Sequence, residues 1–160
     1  MRRERMLRKV YENRKLMINC AFFLYIIGVL VLTFVVRETM VLRTPKNRGV
    51  VLEPFREFQA MIEQHDHFFW FKQIMLNILL FIPLGFLLPL VYGKVFRDPV
   101  LTVLTGYLFS ASIESMQYIT GRGLTEIDDV ITNTVGTAAG YVMFVLVMRL
   151  YRNSRKPLRK

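Results

Sequence analysis

The chain has 160 residues, 53% of them apolar and 21% charged, with a mean hydropathy of +0.34 and a formal charge of +10. A soluble domain rarely combines these values; disorder requires less apolar content, and a disulfide scaffold or thiolate metal site requires more than the single Cys20. Nucleic acid is disfavoured as a partner by the placement of the basic residues, seven before residue 16 and six after residue 148, on either side of long uncharged segments.

Leu16 to Val36 is 21 residues without a charge, enough for a helix that at about 1.5 Å per residue crosses a hydrocarbon core of roughly 30 Å. It follows Met-Arg-Arg as a signal peptide would. It is nonetheless longer than the usual apolar core of about 7 to 15 residues, and no small-x-small cleavage site follows Val36, so a retained anchor is predicted. In the connection Arg37 to Lys72, the residues Phe55, Phe58, Ile62, His65 and Phe69 recur every three or four positions. That spacing predicts a short helix on the outer membrane surface, the alternative being an ordered loop with aromatic anchors. Trp70 and its phenylalanine neighbours mark the interface. His65-Asp66-His67 offers too few convergent ligands for a metal and is read as a polar stretch facing water.

The second uncharged run, Gln73 to Gly93, carries Pro83 and Pro89, which are expected to bend it. Pro99 to Gly121 is interrupted only by Glu114, and Val130 to Met148 completes the set. The predicted fold is all-α, a polytopic bundle of four transmembrane helices over residues 16–148, between a basic N-terminal segment (1–15) and a basic tail (149–160). Lys and Arg concentrate in the N-terminal segment, in the second connection (Lys94, Arg97) and in the tail, which places these on the cytoplasmic side with both termini. The third connection, Thr120 to Asp129, has one Arg against three acids and belongs outside. The first is balanced, six basic residues to five acidic, and parity places it outside as well. The basic ends are expected to meet anionic membrane lipids.

Helical rise then sets the depth of each polar residue. Glu114 falls on the order of 9 Å below the outer surface, Asn77 about 6 Å and Asn133 about 5 Å, all in the outer third. A carboxylate facing lipid is costly, so Glu114 is expected to face inward. Tyr107, Ser110, Glu114 and Gln117 share one helical face, and Asp129, Asn133, Gly136 and Gly140 another. Gly136 and Gly140 form a small-xxx-small pattern, read as helix packing. Thr125-Glu126-Ile127-Asp128 reads either as a capping box, with Asp128 reaching back to the Thr125 amide, or as functional. Arg122, between two glycines, can pair with Glu114 or Asp128 or hold an anionic head group.

Asn77 to Phe86, Glu114-Ser115-Met116-Gln117, and Arg122 to Gly136 resemble, in order and spacing, the VanZ-like membrane proteins. The resemblance covers roughly residues 37 to 142, including Glu53-Pro54-Phe55, where Glu53 departs from the family's apolar residue. It implies low-level resistance to teicoplanin and related glycopeptides or lipoglycopeptides, without an established reaction. Together with the polar residues, it leads to an outward-facing binding site of Asn77, Glu114, Gln117, Arg122, Asp128, Asp129 and Asn133, joined by Arg37 and Arg43 as donors to phosphate or carboxylate. The expected partners are a lipid-linked cell-wall precursor or the glycopeptide antibiotic, with no cofactor and no metal. The alternative is a membrane enzyme with Glu114 as general base, Asp128 or Asp129 as its electrostatic partner and Arg122 stabilising anionic charge. A transporter ranks below both, because no inverted repeat or midplane charge pair is visible.

Overall fold

A computed structural model describes residues 2–36, 49–63, 67–121 and 125–154. Five α-helices account for nearly all of them: α1 (Arg2–Val31), prolonged by a π-helical turn over Leu32–Val36, α2 (Arg56–Glu63), α3 (His67–Val91), α4 (Pro99–Thr120) and α5 (Ile127–Ser154). A 3-10 turn, Val95–Arg97, joins α3 to α4. Two short strands, β1 (Val50–Val51) and β2 (Thr125–Glu126), pair in parallel, Val50 opposite Thr125 and Val51 opposite Glu126.

The all-helical class agrees with the sequence pattern. Three helices are long and apolar enough to cross a membrane, over Glu4–Val35, His67–Val91 and Ile127–Ser154. α4 is 22 residues long but is not among them, because Ser110, Glu114 and Gln117 dilute its apolar run. Those residues are buried, as are Thr102, Thr132, Asn133 and Thr137, while Phe23, Leu24, Leu79, Leu104, Leu108 and Leu146 are exposed. This inside-out distribution suits hydrocarbon, where apolar side chains have nothing to gain by leaving the surface and polar ones must find partners within.

α5 is the central helix and packs against α3 and α4. Its approach to α3 is backbone to backbone: a Cβ built on Gly140 would lie 1.9 Å from the Ile82 carbonyl oxygen, and one on Gly136 2.2 Å from that of Ile78. Gly85 of α3 is equally tight, 1.9 Å from the Thr137 carbonyl oxygen. The packing expected of Gly136 and Gly140 is thus realised against α3. α1 rests on α3 through Val29 and its neighbours, in a core with Phe81, Leu84, Leu88 and Ile113. Pro83 and Pro89 lie within α3 without ending it. The Tyr25 hydroxyl donates to the Leu80 carbonyl at 2.8 Å, one residue past the carbonyl that Pro83 leaves without its amide.

A helix does form where the aromatic spacing places one, but it ends at Glu63, and Phe69 belongs to α3. Phe55 and Ile62 point outward, whereas Glu57 and Ala60 are buried. His65 lies outside the described residues. Tyr107 departs from the face expected of it: it is exposed, while Ser110, Glu114 and Gln117 are buried.

The glycine contacts yield a paired test. Gly140→Ala is expected to destabilise the protein in detergent by about 1 to 3 kcal/mol, since α3 and α5 must separate to admit the methyl group. Gly28→Ala, on α1 with no atom within 4 Å of the new Cβ, is expected to leave thermal unfolding unchanged.

Candidate functional site

The buried polar residues gather where α4 ends and α5 begins. α4 stops at Gly121, whose left-handed backbone (φ 67°) lets its amide reach back to the carbonyls of Gln117 and Tyr118. Across this turn, Oε2 of Glu114 accepts the Glu126 amide at 3.0 Å, and the Thr125 hydroxyl donates to the Glu114 carbonyl at 3.1 Å. Glu114 therefore faces inward and fastens β2 to the end of α4.

Asp128 does the same for the other connection. Its Oδ1 accepts the Phe55 amide at 2.5 Å and its Oδ2 the Glu57 amide at 2.7 Å. These amides belong to the start of α2, where Phe55 takes a positive φ of 65° to turn the chain into the helix. The capping box is thereby corrected: Asp128 caps α2 rather than its own helix, and Thr125 turns to α4. A carboxylate accepting charge-assisted bonds from two helix-start amides is a stronger anchor than a local capping pair.

Asp129 and Asn133, one turn apart on α5, reach opposite neighbours. Asn77 Nδ2 of α3 donates to Asp129 Oδ1 at 2.6 Å, and Asn133 Nδ2 donates to Ser110 Oγ of α4 at 2.8 Å. Gln117 Nε2 donates to the Thr33 carbonyl at 3.2 Å, which ties α4 to the π turn after α1. The oxygens Gln117 Oε1 and Asn133 Oδ1 are buried and accept no hydrogen bond from the described residues. Of the expected site residues, Asn77, Glu114, Gln117, Asp128, Asp129 and Asn133 thus share one end of the bundle, while Arg37, Arg43 and Arg122 lie outside the described residues.

Glu57 and Glu126 join this end without belonging to the expected set. They and Asp129 are buried, each with a carboxylate oxygen within 4.8 Å of the others. Carboxylates this close repel one another, so the trio is a place where positive charge is favoured. By residue type it is the set among the described residues able to hold a cation. Beside it lies a cavity of about 120 Å³ whose lining includes Glu53, Glu57, Glu126, Asp128, Arg56 and Trp70.

Removing the α2 anchor tests this geometry. In a Cys20→Ser background, a cysteine at position 60 is expected to be shielded, since Ala60 is 8% exposed. Asp128→Ala leaves two helix-start amides without their charged acceptor, and maleimide labelling at position 60 is expected to rise by more than about tenfold. Asp128→Asn, with one acceptor left, is expected to fall between.

A family described as VanZ/LLP1 matches residues 22–148. An Enterococcus faecium protein named Protein VanZ is 34% identical over 76 residues, which make up 48% of this chain and 46% of that protein. The chain therefore spans about half the length of this curated relative. No solved structure matches. With the match covering most of its length and the helices that build the polar end, the chain belongs to the VanZ/LLP1 family.

Proposed function

We propose that this chain is a multi-pass cell-membrane protein of the VanZ type, with four spans, both termini cytoplasmic and α2 at the outer interface. In this reading it gives low-level protection against teicoplanin-like glycopeptides or lipoglycopeptides by binding a lipid-linked cell-wall precursor, or the drug, at the polar end of the bundle. The observation that carries the reading is the convergence of Glu114, Asp128, Asp129 and Asn77 from separate helices at the end where β1 pairs with β2. That pairing favours an arrangement with the first and third connections on one side, as charge for the third and parity for the first lead one to expect. α4 fits as the fourth span because its polar face is buried while Leu104, Leu108 and Ile119 face outward.

Cavity size narrows what is bound. A drug-sized ligand fills about 300 to 1,000 Å³, so a space of about 120 Å³ takes a single charged group of a larger molecule. Its acidic lining and Trp70 favour an amino group, while Arg37, Arg43 and Arg122 would serve a phosphate or carboxylate. Binding rather than chemistry is favoured because Asp128 spends both oxygens on α2 and Glu114 accepts a backbone amide. The Glu57–Glu126–Asp129 trio is the observation that keeps a membrane enzyme as the second reading.

Glu114→Gln and Arg122→Lys, compared at equal membrane abundance, separate the two. The binding reading expects lost protection in drug-susceptibility assays and no turnover of purified lipid-linked precursor by any variant. Wild-type turnover abolished by Glu114→Gln would establish the enzyme instead. Unchanged susceptibility in both variants would contradict either reading.

A further inference from the structure

We infer that the turn between α3 and α4 is a binding site for an anionic phospholipid of the inner leaflet, its head group held by Lys94 and Arg97 between the projecting ends of α1 and α5. This rests on the membrane-spanning reading above, and on a register offset visible in the helices themselves. The Tyr141 hydroxyl of α5 donates to the Arg97 carbonyl, which fixes the turn at the level of Tyr141. Arg149 is eight residues further along α5, about 12 Å by helical rise. On the other flank, Phe22 of α1 meets Tyr92 edge to face, ring centroids 5.9 Å apart, and Lys15 is seven residues earlier, about 10 Å below. The α3–α4 turn therefore stops about 10 Å short of the level where α1 and α5 meet their own basic flanks.

The intervening stretches of α1 and α5 expose apolar side chains, with Asn19 the exposed polar residue among them. Leu16, Met17, Val142, Met143, Leu146 and Val147 are all exposed. If the bilayer surface were flat at the turn, these side chains would stand in water and lose their hydrophobic stabilisation. If it were flat at Lys15 and Arg149, Lys94 and Arg97 would lie among acyl chains. Both cations are exposed, and among the described residues neither has an ion pair. The neighbouring Asp98 caps α4, its Oδ1 accepting the amides of Val100 and Leu101. A lipid raised into the recess resolves both conflicts: its acyl chains cover the apolar ends of α1 and α5, and its phosphate reaches the two cations.

The test uses the full chain extracted from liposomes of equal phosphatidylglycerol and phosphatidylcholine, with retained lipid read by native mass spectrometry. Preferential retention of phosphatidylglycerol is expected in the wild type and in Arg149→Gln/Arg152→Gln, and at least a fivefold loss in Lys94→Gln/Arg97→Gln. Equal retention in Lys94→Gln/Arg97→Gln and wild type overturns the site, as does a loss confined to Arg149→Gln/Arg152→Gln. A cysteine at position 95, in a Cys20→Ser background, separates this from failure of the topology. Labelling by an impermeant maleimide added outside intact cells overturns the spanning arrangement. Labelling only after the cytoplasmic face is opened, with lipid retention unaltered by Lys94→Gln/Arg97→Gln, overturns the lipid site alone.

Discussion

Buried carboxylates that accept backbone amides from distant segments hold the polar end of this molecule together. Asp128 takes the amides of Phe55 and Glu57, 73 and 71 residues away in sequence, and Glu114 takes that of Glu126 across the α4–α5 turn. An amide buried without a partner costs about 1 to 3 kcal/mol, so each such bond avoids a penalty as well as forming a contact. With β1 paired to β2, the two carboxylates join the first and third connections into one cap over α3, α4 and α5. Because both carboxylates are committed in this way, side chains that resemble an acid–base pair in sequence serve first as scaffold.

The cap can form because the helices beneath it come unusually close. Gly85, Gly136 and Gly140 let α3 and α5 meet at the backbone, which brings Asn77 to within 2.6 Å of Asp129 and leaves the next turn of α5 free to reach Ser110 on α4. A larger residue at the crossing would separate the two polar faces before any ligand was concerned. α2 follows the same inside-out logic on a small scale, with Glu57 buried against the protein beside Ala60 and Ile62 exposed.

Helical class, the approximate places of all five helices, the packing role of the glycines and the inward turn of Glu114 were legible in the sequence, because each follows from periodicity or from the cost of a charge in lipid. The partners were not. Nothing in the spacing of Thr125 and Asp128 tells that Asp128 finds its amides in a segment some 70 residues earlier, since local capping satisfies the same chemistry. Glu57 was obscured for a related reason: on a short amphipathic helix of eight residues, an acid reads as the solvent side until the bundle shows which side is which. Tyr107 shares the helical angle of Ser110 and Glu114, but it stands a turn nearer the other end of α4, beyond the polar cluster.

Amide hydrogen exchange in the intact, membrane-embedded protein examines the carboxylate cap most directly. The amides of Phe55, Glu57 and Glu126 lie in connections and at element starts, where exchange is ordinarily fast. Protection of all three approaching that of the α3 and α5 interiors is the result this account predicts. Rapid exchange at these positions, with the helices still protected, would show that the connections are not bound to Asp128 and Glu114 and would contradict it.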